Sequence, residues 1–503
     1  MKILKRLFAI MVILVTGVAL AACGNTAKQE ATTTTTAAKK AEAVTGASEK
    51  TYTDPKELKD QYDVVIVGSG GAGMAAAISA KDAGANVAIF EKLPVIGGNT
   101  AKSSAGMNAS ETKYQKEQGI VDENQKFFEE SLKGGKNTND KDLLRFLTEH
   151  SAAAIDWLDT LNIHLSNLTT TGGMSVKRTH RPADGSAVGG YLVDGLYGNV
   201  TSRKIPTFVN ADVIDITQTN GAVSGVVVKI NGEEKRISAK AVILATGGFG
   251  ANAEMVTKFQ PQLKGYVTTN SKGTTGDGIK LAETLGAMTV DMDQIQIHPS
   301  VEQKTSYLIT EAVRGEGAIL LNADGKRFFN EMETRDKVSA AINSLTPNHA
   351  FVVFDEALKG RVKAITQYEA KGFVVKADTI EELAKKLDMP VDNVKASLDT
   401  WNKAVANKND AEFSRKTAME HDLSKAPFYA IKVAPGVHHT MGGLKINTNT
   451  EVLKADGSVI KGLYAAGEVT GGIHGSNRIG GNAVADIIIF GRQAGTKAAE
   501  FVK

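Results

Sequence analysis

The sequence predicts an α/β protein: a two-part Rossmann-like domain with a second, α+β domain inserted between its halves. Three observations carry that reading. Residues 62–92, YDVVIVGSGGAGMAAAISAKDAGANVAIFEK, pass from an apolar β-branched run through clustered glycines into an alanine-rich stretch and a second apolar run, the pattern of a βαβ unit. Far downstream, AVILATGGFG at 241–250 is another apolar run ending in glycines, and glycine-rich text returns as GLYAAGEVTGG and NRIGGNA near the C-terminus. Between 301 and 437 the composition turns charged and helical, as in TIEELAKKLD.

Bulk properties agree. At 503 residues the chain has room for more than one core. Its 59 basic and 56 acidic residues leave a net charge of +3 with no long basic run beyond the N-terminus, which argues against nucleic acid as a partner. Fifty glycines beside ten prolines suit a fold with many close backbone approaches.

Taken in order, residues 1–23 open with Lys2, Lys5 and Arg6, then the apolar run LFAIMVILVTGVALAA, then Cys23. A basic region, an apolar region and small residues before a cleavage point define an export signal. Leu20-Ala21-Ala22-Cys23 resembles the bacterial lipobox, which implies a lipoprotein lipidated at Cys23, exported and anchored to the outside of the cell membrane. Cys23 is the one cysteine, so a cysteine-held metal, an iron–sulfur cluster and a covalently attached haem are all excluded. Residues 24–60, rich in Ala, Thr, Lys and Glu, lack apolar periodicity and read as a flexible tether.

The ordered part begins at Tyr62. Asp63 to Val67 read as a strand, a helix starts near Gly70 with Ala75, Ala76 and Ala80 on a face narrow enough to lie on a sheet, and Val87 to Phe90 read as the second strand. Residues 122–161 turn helical. Val213–Ile216 and Val223–Ile230 read as a hairpin about Asn220-Gly221, and the chain closes on a helix through Gly491. The domains are therefore 61–300, the inserted 301–437, and 438–503.

Gly68-Ser69-Gly70-Gly71-Ala72-Gly73 is a G-x-G-x-x-G turn between strand and helix. The first glycine permits the turn, the second lets backbone approach a pyrophosphate, and the third (Gly73) allows close packing, with the helix N-terminus facing the phosphates. Glu91, ending the second strand, is placed to accept from a ribose diol. Further glycine-rich sites at Asn99-Thr100, Ser104-Ala105-Gly106, Ala245–Gly248 and Gly467-Glu468 suit a long cofactor lying across the fold.

Together these motifs resemble the FAD domain of the fumarate reductase and succinate dehydrogenase flavoproteins. Gln296-Ile297-His298-Pro299, Leu308–Gly315, Thr334–Lys337, Val437–Gly443 and His474–Ala483 narrow the resemblance to soluble fumarate reductases of the flavocytochrome c type. That family has a two-part FAD-binding domain with a mobile capping domain over the flavin. The resemblance implies Arg335 as proton donor to the substrate, with Glu311 and Arg314 as the relay that reprotonates it. His298, Thr310, Glu311, His438, Arg478 and the backbone near Gly481 would bind the substrate, and Ala72, Val213, Asp277, His439 and Ala483 join the cofactor contacts. Where membrane-bound relatives carry a histidine that holds FAD covalently, this chain reads NTAKSSAG, so non-covalent FAD is expected.

The chemistry asks for such residues. Hydride addition to a C=C bond builds charge beside a carboxylate, which fixed cations stabilise, and the neighbouring carbon then needs a proton. Arginine, with a pKa above about 12, can donate only if proton loss is concerted and the proton is replaced at once. Fumarate is the expected substrate. Urocanate, acrylate and cinnamate reductases, and a lipid-anchored flavin electron carrier without turnover, are the alternatives.

With haem excluded, an exported reductase needs another electron entry, quinol-linked or flavin-based. Residues 42–48, EAVTGAS, resemble the motif at which a transferase attaches FMN through a phosphodiester, which would make Ser48 the acceptor. Glu42 stands where that motif has Asp.

Overall fold

The computed structural model describes residues 50–503; the export segment, Cys23 and Ser48 lie outside the described residues. The chain divides at Lys50 into two units, and the architecture below belongs to residues 51–503. Among the described residues no helix is long and apolar enough to cross a membrane.

The tether read over 24–60 does not extend to its predicted end. The Thr53 N–H donates to the Thr207 carbonyl at 3.0 Å, and the Thr207 N–H returns a bond to the Thr53 hydroxyl at 2.9 Å. The Tyr197 hydroxyl donates to the Thr51 carbonyl at 2.6 Å, and the Tyr52 ring lies 5.9 Å from that of Tyr197. Asp54 caps a turn of 3-10 helix at Pro55–Glu57. Hydrogen bonds do most of this seating, and the two hydrophobics packed on the core, Tyr52 and Leu58, are too few to register as apolar periodicity.

The first layer starts with β1 (Gln61–Val67), α1 (Gly71–Asp82) and β2 (Val87–Phe90), with Gly70 the N-cap of α1 rather than its first residue. β3 (Thr207–Phe208), β4 (Ala211–Thr219), β5 (Ala222–Ile230) and β6 (Glu233–Leu244) follow. With β10 (Val459–Ala465) they form one sheet. Its parallel part runs β3-β2-β1-β6-β10, and β4, β5 and β6 add an antiparallel meander. Val64, Val65 and Ile66 are fully buried, as a parallel strand covered on both faces requires. The β4–β5 turn is Asn220-Gly221, with φ of 53° and 77°, the left-handed pair that a tight hairpin needs.

The closing helix, α4 (Asn482–Val502), runs beyond Gly491 and packs on α1. A Cβ at Gly491 would come within 2.6 Å of the Ala72 carbonyl, and one at Gly495 within 2.2 Å of that of Ala76. The small residues of α1 thus admit a helix as well as the sheet: a Cβ at Gly491 would also lie 3.1 Å from that of Ala75.

A second core occupies residues 309–433, with Leu320, Val352, Phe354, Trp401 and Ile431 fully buried. Its elements include α2 (Ala312–Gly315), α3 (Arg335–Asn343) and β8 (Ala350–Asp355). The TIEELAKKLD segment supplies a helix at Ile380–Lys386, N-capped by the Thr379 hydroxyl on the Glu382 N–H at 3.1 Å. Two strands join the cores. β9 (Phe428–Thr440) pairs antiparallel with β8 along its first half and with β7 (Ile295–Glu302) along its second. The predicted limits at 300/301 and 437/438 therefore fall inside two adjacent strands, with Ile297 opposite Val437.

Candidate active site

The glycine turn after β1 is held by contacts that exclude side chains. Gly68 has φ of +103°, and a Cβ there would lie 2.4 Å from the Ala245 carbonyl; one on Gly73 would lie 2.0 Å from that of Gly68. A Cβ on Gly70, by contrast, would meet nothing nearer than the Thr100 hydroxyl at 3.7 Å. The backbone at Gly70 is open to a cavity of about 590 Å³ running along the C-terminal ends of the parallel strands. That crevice is where open α/β sheets bind nucleotides.

Other side chains lock the cradle. Glu91 accepts from the Ser69 hydroxyl at 2.6 Å, the Ser69 N–H at 3.1 Å and the Leu93 N–H at 2.8 Å. These leave lone-pair capacity on its two oxygens. Asn99 donates to Glu468 at 3.0 Å and accepts from the Ser271 N–H at 2.7 Å. Asp277, opening a short helix, pairs with Lys92. Burial pushes the Glu468 carboxyl up, opposed by the N–H of Thr440 and by Asn99. His439 Nε2 is buried on the wall of this cavity, without a partner among the described residues. The open glycine backbone, the helix N-terminus, the carboxylate after β2 and this unpartnered imidazole nitrogen all fit FAD.

At the other end of the cavity stands a cluster of cations. Arg335, first residue of α3, donates to Glu311 Oε2 from Nη2 at 2.9 Å and from Nε at 3.2 Å. Arg314 Nη2 reaches Glu311 Oε1 at 3.4 Å. Gln296 Oε1 accepts from Arg335 Nη1 and from Arg478 Nη2, each at 3.1 Å. The His298 and His438 rings stand edge to face at 5.2 Å, and Thr269 bonds His438 Nδ1 at 2.8 Å. His298 Nε2 and Arg478 Nε are buried with no partner among the described residues.

Burial decides the charge states. Burial pushes the Glu311 carboxyl up, but Arg335 and Arg314 more than offset it and hold it below the ordinary glutamate value. Burial, with Arg335 beside them, keeps His298 and His438 neutral, well below the usual histidine range. Burial and Arg335 also bring Arg478 down to about 9, still cationic at neutral pH. The group carries three guanidiniums against one carboxylate, an excess positive charge suited to a dianionic ligand.

The structure brings nearly all the sequence-derived residues together, in two ranks. Gly68, Gly70, Gly71, Ala72, Glu91, Asn99, Thr100, Ser104, Ala105, Val213, Asp277, His439, Glu468 and Ala483 line the cavity, as do Arg335, His438, Arg478 and Gly481. Gly73 and Gly106 do not; both serve close packing, a Cβ on Gly106 lying 2.3 Å from the His180 carbonyl. His298, Thr310, Glu311 and Arg314 stand behind the lining, where the Thr310 N–H donates to the Tyr368 hydroxyl at 3.0 Å. Gln296 was read only as part of a motif, and its bridging of two arginines has no sequence signal. Lys92 and Thr269 have no sequence signal either, because each acts through a partner distant in sequence.

This fold and site define an FAD-dependent flavoprotein oxidoreductase. A family model for an FAD binding domain matches residues 63–484. The chain is 44% identical to a fumarate reductase (cytochrome) of Shewanella frigidimarina, over 92% of this chain and 81% of that one. It is 56% identical to an NADH:fumarate oxidoreductase of Klebsiella pneumoniae (strain 342), covering 87% of this chain but 48% of that protein, about half its length. The open conformation of a flavocytochrome c3 fumarate reductase superposes with a TM-score of 0.74 at 41% identity, covering 89% of this chain and 79% of that one. The chain belongs to the fumarate reductase flavoprotein family.

Proposed function

We propose that the protein reduces fumarate to succinate outside the cytoplasm, as a lipid-anchored enzyme of anaerobic respiration. Bound FAD would supply the hydride. The observation that carries the reading is Arg335, which lines the cavity while its guanidinium is held by Glu311 on one side and Gln296 on the other.

Arg478, His438 and, behind it, His298 supply cationic and neutral donors for the two substrate carboxylates. Neutral imidazoles suit this role, since each can donate one N–H without adding charge that must be desolvated. Charge building on the substrate carboxylate falls beside Arg478 and Arg335, both of them buried. Arg335 gives a proton to the carbon next to the one that receives hydride. Glu311, touching both Arg335 and Arg314, passes a replacement proton from Arg314 to Arg335, so one hydride and one proton are consumed for each C=C bond reduced.

The N-terminal sequence supports export and lipidation at Cys23, and EAVTGAS supports FMN attachment at Ser48 as an electron entry fed by a membrane donor. Intact mass of the exported protein, with Cys23→Ser and Ser48→Ala variants, tests both: a wild-type mass free of lipid or FMN increments removes the corresponding assignment. For the reaction itself, reduced holoenzyme is titrated anaerobically with fumarate, urocanate, acrylate and cinnamate. Reoxidation by fumarate at the highest kcat/KM is expected. Preferential reoxidation by another enoate reassigns the substrate, and reoxidation by none leaves a flavin electron carrier.

A further inference from the structure

Behind Arg314 the second core holds four charged side chains in its interior. Arg327 donates to Glu331 from Nε at 2.9 Å and from Nη2 at 3.0 Å, and to Asp410 at 3.0 and 3.1 Å. Arg415 Nη1 donates to Glu331 at 3.1 Å. The guanidiniums of Arg327 and Arg415 lie over the Trp401 ring, at 5.0 and 4.3 Å from its centroid. Burial pushes the Glu331 carboxyl up, but Arg415 and Arg327 more than offset it and keep it ionised. Two cations and two anions balance, so the group is internally neutral. A neutral, satisfied network adds little stability over apolar packing of the same volume, and its position points to a different use.

Both ends of Arg314 are tied to it. The Arg314 guanidinium donates from Nη1 to the Glu331 carbonyl, and the Arg314 carbonyl accepts from Arg415 Nη2 at 2.9 Å. The Arg314 carbonyl also accepts from the Gly317 N–H at 3.1 Å, but its guanidinium has little else to fix it: among the described residues Nε is buried without a partner, and the contact with Glu311 is 3.4 Å, near the limit of a hydrogen bond. Arg335 is different, with two bonds to Glu311 and one to Gln296. A shift of a few tenths of an ångström at Arg314 would break the outer link of the relay while leaving the inner one intact.

We propose that Arg415 and Glu331 are positioning residues for proton delivery: they clamp Arg314 by its carbonyl and its guanidinium, and so set the Arg314–Glu311 contact through which Arg335 is reprotonated. The proposal rests on the reading of Arg335 as proton donor. Arg415→Met removes the bonds to Glu331 and to the Arg314 carbonyl, together with those to the carbonyls of Ala318, Thr417 and Ala418. Glu331→Gln keeps the backbone carbonyl but weakens its anchorage to Arg327 and Arg415.

The experiment uses FAD-loaded full-length protein and records fumarate kcat, KM, the pH profile and the solvent isotope effect. FAD absorbance and Tm confirm folding. In Arg415→Met, kcat falls by tenfold or more, up to about 100-fold, the solvent isotope effect rises, and KM stays near wild type. Arg415→Lys restores little, because one ammonium cannot serve Glu331 and the four carbonyls of Arg314, Ala318, Thr417 and Ala418 at once. If Arg415→Met does not fold, Glu331→Gln is read by the same measures. A folded variant with wild-type kcat and isotope effect overturns the proposal, as does a loss confined to KM. Wild-type enzyme that cannot turn over fumarate or any other enoate overturns the underlying reading instead.

Discussion

The two ends of the cavity are built by opposite means. At the cofactor end, recognition is written in backbone: absent side chains at Gly68 and Gly73, a helix N-terminus, and a carboxylate one strand away, all within residues 61–92. At the substrate end it is written in side chains, charged ones from α2 and its N-cap, α3 and the segment before α4, and neutral ones from β7 and β9. Backbone recognition is rigid and fails by steric clash. Side-chain recognition is electrostatic, and it fails when a charge is lost or moved.

The sharpest break of that contrast is Arg335→Ala. Turnover should fall by about 10²–10⁴-fold, the range of a lost general acid, with FAD still bound; retained turnover removes the donor role. At the other end, Gly73→Ala should release FAD and lower Tm. Its Cβ would sit 2.0 Å from the Gly68 carbonyl, an overpacking cost at the upper end of about 1–3 kcal/mol. FAD content after gel filtration, compared with Gly198→Ala, where a Cβ has open space on an exposed helix face away from the cavity lining, checks it.

Acid acts on His180, buried on the short strand Thr179–Arg181. Burial pushes His180 down to about 4 from 6.5. Below 6.5 the unfolded chain binds that proton and the folded one does not, so stability rises with pH across this window and is lost as pH falls through it. The loss reaches about 3 kcal/mol near pH 4. Denaturant unfolding from pH 7 to 4, with His180→Gln as the flatter comparison, measures it. The smallest effect is at the N-terminal segment: Tyr197→Phe removes the bond to the Thr51 carbonyl and should cost about 1 kcal/mol. Faster proteolysis at residues 50–60, with turnover unchanged, is its signature.

Legibility in the sequence followed the same division. The cradle could be read because its residues are local and the physics of a glycine turn is short-ranged. The arginines and histidines of the substrate end were found only through family motifs, since a lone His298 or Arg314 has no local signature of its task. Residues 51–60 were misread as tether because their anchors, Tyr197 and Thr207, lie far along the chain.

The sequence by itself determined the βαβ start, the glycine turn and its acidic partner, the Asn220-Gly221 hairpin and the existence of an inserted domain. Each follows from the spacing of neighbours. Only the tertiary structure decided that Gln296 ties Arg335 to Arg478, that His298 stands behind His438, and that Arg415 and Glu331 hold Arg314 from within the second core. These are contacts between segments tens to hundreds of residues apart. They are set by how β7 and β9 join two cores, and no local periodicity encodes that.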